Sequence, residues 1–194
     1  MPSTAVVADT TSYLPPALLS EHDVHLVSLY VGIEGEQERE SEIADLGAFY
    51  ERLRASDKQV TTSQPSIGDF ISVYEPLLAE GREIVSIHLS SGISGTYESA
   101  MQARERLTSE GKGGERIVVC DSRTGAGGMG LMILAAANAA EQGANAAETN
   151  ERAELVREEL KIFFAVDTLD YLRRGGGSGR PVTGSELPSR SSRS

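Results

Sequence analysis

Apolar positions along the chain follow two alternating rhythms. Short runs of aliphatic and β-branched residues at 5–8, 24–31, 84–89 and 117–120 predict buried strands. Between them, apolar side chains return every three or four positions and predict helices at 16–21, 46–55, 66–79, 97–107 and 131–141. The pattern is clearest over 66–79, where Ile67, Phe70, Ile71, Tyr74, Leu77 and Leu78 line one face. Ser66 with Asp69 three residues on is close to a capping box, Pro76 should kink the last turn, and Gly81 stops it. Strands alternating with helices predict a three-layer α/β/α domain on a mainly parallel sheet. A further helix at 148–160 leads into a strand at 162–166. The chain thus divides into an α/β domain over 1–160, the start of a second α+β domain over 161–174, and a tail over 175–194. No internal repeat is present.

Two polar segments interrupt this rhythm where an extended run hands over to a helix: Thr61-Thr62-Ser63-Gln64-Pro65-Ser66 and Ser90-Ser91-Gly92-Ile93-Ser94-Gly95-Thr96. The first N–H groups of a helix lack intrahelical partners and its dipole favours negative charge, so such junctions suit small anions. Gly92 and Gly95 permit close backbone approach, and Ser94 and Thr96 add hydroxyl donors. On neighbouring strands of one sheet, both segments would converge at its carboxyl edge, where open α/β sheets hold ligands.

At this separation the two segments resemble the paired signatures of the DegV family of bacterial fatty-acid-binding proteins. Three other stretches agree: Asp9-Thr10-Thr11-Ser12-Tyr13-Leu14-Pro15 after the first strand, Asp121-Ser122-Arg123, and the run from Phe163 to Gly176. The resemblance covers about residues 6–176. It implies that Thr62 and Ser94 hold the carboxylate of a long-chain fatty acid, with Ser63, Gly95 and Thr96 in support. It also implies a carrier without catalytic residues, which presents the acid to the catalytic subunit of an ATP-dependent fatty acid kinase for acyl phosphate formation. Arg173 and Arg174 are then assigned to the head group or to the kinase surface. No cofactor is implied beyond the bound acid itself.

Composition narrows the classes. A net charge of −11 opposes nucleic-acid binding, which needs clustered Lys and Arg, and it disfavours anionic membrane surfaces. The longest apolar stretch, 131–140, is too short to cross a bilayer, and no signal segment opens the chain, so a cytoplasmic protein without stable membrane insertion is expected. The single Cys120 ends an apolar strand and reads as a small buried side chain. His22 and His25 have no further ligand nearby and read as surface residues rather than a metal site. From Arg173 onward Gly, Ser, Pro and Arg dominate, with five arginines against the single Glu186. Such a tail cannot bury enough surface to order itself. It reads as a truncated or frameshifted sequence lacking most of the second domain; the alternative is a genuine basic tail for an acidic partner.

Blander and rival readings stand beside these. Ser and Thr at helix starts are commonly plain caps. Asp9 and Asp121 read as capping and turn residues rather than catalytic carboxylates, with no visible partner in sequence. His88 reads as a satisfied core histidine, although its place near Ser94 also suggests the base of a serine hydrolase. Against that, Gly92-Ile93-Ser94-Gly95-Thr96 lacks the glycine two residues after the serine of a nucleophile elbow. A phosphate- or nucleotide-binding α/β domain is the third reading, and it lacks a loop lysine, since Lys58, Lys112 and Lys161 lie elsewhere.

Overall fold

The strands at 5–8, 84–89 and 117–120 assemble as expected, because each is apolar enough to be buried on both faces of a sheet. A computed structural model of the chain describes residues 3–33, 35–55 and 60–163. Strands β1 (Thr4–Asp9), β2 (Val24–Val27), β6 (Glu83–His88) and β7 (Ile117–Asp121) form one parallel sheet in the order β2-β1-β6-β7. Helices α3 (Ile67–Ala79) and α4 (Thr96–Ser109) cover one face, where Phe70, Tyr74, Leu77, Ala100 and Leu107 meet Ala5, Val7 and Ile84. Helices α5 (Ala126–Glu141) and α6 (Ala146–Glu159) cover the other, where Met129, Met132 and Ile133 meet Val6, Ala8 and Ile87. The short α1 (Pro16–Glu21) adds Leu19 to that second face. Alternate side chains of β1 thus feed separate cores, which is the three-layer arrangement predicted.

Two departures bear on function. The predicted strand over 24–31 is two strands in two sheets. At Ser28 and Leu29 the chain leaves the parallel ladder: the Leu29 amide donates to Thr10 Oγ1 at 3.2 Å, and its carbonyl accepts from Glu40 N at 2.9 Å. It then enters β3 (Tyr30–Ile33), which pairs antiparallel with β4 (Glu36–Arg39) and with β5 (Val60–Ser63). The strand leading to Thr62 therefore belongs to this second sheet, not to the sheet carrying β6, and the expectation of neighbouring strands in one sheet is corrected. Helix α2 (Leu46–Ala55) packs Phe49 on Val31 of the small sheet.

The second departure is at α5, which begins at Ala126 rather than at 131, so the glycine-rich run is itself helical. Glycine is needed there for proximity. A Cβ on Gly130 would stand 3.1 Å from Leu14 Cδ2, and one on Gly128 would collide with Ile162. Gly143, with φ +89°, follows the end of the helix. Ile162 and Phe163 are exposed and outside any strand; the rest of the strand expected at 162–166 and the expected tail lie outside the described residues. Among the described residues no helix is long and apolar enough to cross a membrane.

Phe70 carries much of the α3 face. It is fully buried, 5.6 Å from the Tyr74 ring and 5.0 Å, edge-on, from the His88 ring. Phe70→Ala should therefore cost about 3–5 kcal/mol of unfolding free energy, read as a lower urea midpoint at unchanged slope. An unchanged midpoint would mean that this face is not tightly packed.

Candidate functional site

The carboxyl ends of β1 and β6 lie side by side, and the connections that follow them go to opposite faces of the sheet, α1 to one and α4 to the other. This is the crevice in which open α/β sheets place ligands. Asp9, last in β1, is fully buried there. Its carboxylate accepts from Leu89 N at 2.9 Å, from His88 Nδ1 at 3.2 Å, and from Thr11 N and Oγ1 at 3.0 and 2.5 Å. Burial alone would raise its pKa, but the His88 contact and these further donors outweigh it and hold Asp9 below the ordinary carboxylate range. Behind it, Tyr74 O–H donates to Ser86 Oγ at 2.7 Å, and Ser86 lies 2.6 Å from His88 Nε2. With the imidazole proton on Nδ1, every group in this chain is satisfied. His88 is therefore a core histidine, as one reading held, and both its nitrogens are engaged away from Ser94. The expectation that Asp9 and Asp121 have no partner is corrected.

Asp121, at the end of β7, shapes the next turn. Its carboxylate accepts from Ser91 N at 3.1 Å, from Ser91 Oγ at 2.5 Å and from Arg123 N at 2.9 Å. Burial pushes its pKa up, and the Ser91 and Arg123 bonds bring it net below the ordinary value. Pinned at Ser91, residues 90–94 close a single turn in which Ile93 N and Ser94 N both donate to the Ser90 carbonyl, at 2.9 and 3.1 Å. Ser94 is thereby delivered to the start of α4. Its Oγ accepts from Thr96 N at 3.3 Å and lies 2.8 Å from the fully buried Thr96 Oγ1. When Thr96 O–H donates to Ser94, both acceptor positions of Ser94 Oγ are filled and its own proton is left to donate outward. Ser94 is half-buried, so an anion can reach it.

The first segment is set by Asp69. Ser66 is the N-cap of α3, and the reciprocal Ser66–Asp69 bonds of the predicted capping box are present, at 3.1 and 2.9 Å. Asp69 also accepts from Tyr30 O–H at 3.0 Å and from Arg39 Nη2 at 2.7 Å, with the Arg39 guanidinium 5.3 Å from the Tyr30 ring centre. Since Tyr30 pairs with Ser63 and with Arg39 across the small sheet, this one carboxylate clamps that sheet onto α3. Thr62 lies in β5 opposite Val31 and is exposed; Ser63 is half-buried. The two segments meet at Gln64, whose side-chain amide lies against Gly95. That contact joins the segment carrying Thr62 and Ser63 to the one carrying Ser94, Gly95 and Thr96, while Arg173 and Arg174 lie outside the described residues.

Sequence reasoning missed the Asp69–Tyr30–Arg39 cluster and the Gln64–Gly95 contact. β4 reads Glu-Gln-Glu-Arg, with no apolar alternation to betray a strand, so nothing in sequence placed Arg39 beside Tyr30. Other candidates resolve simply. His22 pairs with Glu141 at 2.8 Å and His25 lies 3.4 Å from Asp23, and no group of three or more metal-ligating side chains occurs among the described residues. Cys120 is buried, and burial pushes its thiol up to about 12.

Comparison with known proteins places this geometry. A family model described as "Uncharacterised protein, DegV family" matches residues 3–181. Protein DegV of Bacillus subtilis is 35% identical over 173 residues, covering 89% of this chain and 60% of its own. The crystal structure of DegV, a fatty acid binding protein from Bacillus subtilis, superposes with a TM-score of 0.81 at 34% identity, covering 91% of this chain and 61% of that one. A DegV family protein from Thermus thermophilus, described by its fatty acid binding, gives a TM-score of 0.79 at 34% identity, over 90% of this chain and 60% of its own. This chain spans about three fifths of the length of the relatives it matches.

The depressed carboxylates make acid the sensitive side. Asp9, Asp69 and Asp121 each bind their proton less readily when folded than when unfolded, so they contribute stability that is present above the ordinary 3.8 and lost as pH falls through their lower folded values. Unfolding free energy should therefore decline on acidification below about pH 4. Asp121→Asn should flatten that decline and cost stability at pH 7, and an acid titration by denaturant melts at each pH checks both.

Proposed function

The chain belongs to the DegV family, and we propose that it binds a long-chain fatty acid by its carboxylate between Thr62 and Ser94, with Ser63, Gly95 and Thr96 in support. The observation that carries this reading is the meeting of two hydroxyl-bearing helix starts through the Gln64–Gly95 contact, in a fold matched to fatty-acid-binding structures. A carboxylate needs convergent donors, and Ser94 Oγ is one when the Thr96 hydroxyl donates to it. Each such bond contributes roughly 1.5–3 kcal/mol, whereas a dozen buried methylenes contribute on the order of 10 kcal/mol at about 0.8 each. The hydroxyls orient the acid, and apolar walls hold it.

The resemblance extends this to a role. The protein is a carrier, needing no cofactor, that presents its acid to a separate ATP-dependent fatty acid kinase for acyl phosphate formation, with Arg173 and Arg174 reserved for the head group or that partner. Hydrolysis at Ser94 finds little support, because His88 is buried and held by Asp9 and Ser86.

Thr62→Ala and Ser94→Ala should each weaken palmitate binding about tenfold or more, the loss of one donor to a charge. They should leave a fatty alcohol of equal length unaffected; Thr62→Ala should barely move the melting temperature, and Ser94→Ala should lower it by a few degrees, because Thr96 N and the buried Thr96 hydroxyl lose their acceptor. Calorimetric titration of both ligands checks this, and equal affinity for acid and alcohol in the parent protein would defeat the reading. Mixed with ATP and a fatty acid kinase, the palmitate-loaded protein should yield acyl phosphate; its absence would remove the carrier role alone.

A further inference from the structure

Thr62 lies in β5 of the small sheet and Ser94 in the turn between β6 and α4, so no ladder of backbone hydrogen bonds sets the distance between them. One side chain spans the gap. A Cβ placed on Gly95 would stand 3.0 Å from Gln64 Nε2, 3.2 Å from Cδ and 3.6 Å from Oε1. Three amide atoms at such similar distances mean that Gln64 rests its flat face on the glycine. Gly95 itself has φ −75° and ψ 10°, a conformation open to any residue, and it is the N-cap of α4, where Ser, Thr, Asp or Asn would ordinarily cap better. Backbone conformation therefore gives no reason for glycine at this position. Space bears on it, because a Cβ there would press on the Gln64 amide, and this exposed side chain would have to give by a few tenths of an ångström.

Gln64 is held at both ends. Ser63 before it pairs with Tyr30 in the small sheet, and Pro65 after it is buried and biases Gln64 to extended backbone. Ser66 is then fixed by its capping box with Asp69. The Gln64 backbone is thus anchored to the Thr62 side of the crevice, and only its amide reaches the Ser94 side.

Resting on the carboxylate reading above, we propose that Gln64 is a positioning residue: its amide is the spacer that sets the separation of Thr62 and Ser94, and Gly95 is bare to receive it. Gln64→Ala lets the segments drift, and Gly95→Ala drives the amide away.

The test compares the parent chain with Gln64→Ala, Gly95→Ala and the double variant, by palmitate titration, thermal melting and amide NMR of the ligand-free protein. Each single variant should bind palmitate about tenfold more weakly with a melting temperature within a few degrees of the parent. The double variant should be no weaker than Gln64→Ala alone, because the clash at residue 95 requires the Gln64 amide. Gln64→Ala should also shift the amide signals of Gly95 and Thr96 without ligand. Additive losses, unchanged affinity in both single variants, or unmoved amide signals would each overturn the spacer. If the parent takes up no palmitate, the carboxylate reading falls, and the spacer is judged by the ligand-free signals alone.

Discussion

A buried carboxylate at the carboxyl edge of the parallel sheet is the constraint on which the site depends. Asp9 is removed from water, a state that costs several kcal/mol per ion unless its acceptor positions are filled, and it fills them with donors from both sides of the crevice. Those donors are the chain just after β1 and the end of β6, where the connections to the two faces part. Binding them together holds the crevice at fixed width. The Tyr74–Ser86–His88 chain behind Asp9 extends this rigidity into the α3 face, because each hydroxyl or ring nitrogen that faltered would leave the next one unpaired in the core.

The second carboxylates work outward from that anchor. Asp121 turns the chain after β6 so that Ser94 stands at the first turn of α4, and Asp69 fastens the small antiparallel sheet, which carries Thr62, to α3. Acidic side chains serve here as acceptors for backbone and hydroxyl donors, those of Ser66 and Ser91 in the two segments included.

How much of this was legible differs between elements. Helix α3 could be read almost residue by residue, since its capping box, apolar face and glycine stop are all local. Strands β1, β6 and β7 were legible because continuous apolar runs have few other uses. The break at Ser28 and Leu29 was not, because it is made by Thr10 and by Glu40, both remote in sequence, which take the hydrogen bonds that a continuing ladder would have used. The first turn of α5, which lies ahead of the helix predicted at 131–141, escaped for a similar reason: what demands its glycines is Leu14 and Ile162 pressing on the helix, and a sequence window does not contain those neighbours.

Taken alone, then, the order of residues determined which stretches are helix or buried strand, the three-layer class, and which two segments carry the hydroxyls, because periodicity, caps and small polar clusters act over a few residues. Tertiary structure alone decided that the strand carrying Thr62 lies outside the sheet whose β6 leads to Ser94, that His88 is spent on Asp9 and Ser86, and that Gln64 closes on Gly95. Those outcomes depend on which distant donor finds which acceptor and on where two backbones come close enough to exclude a side chain. Such pairings are settled only when the whole chain has packed.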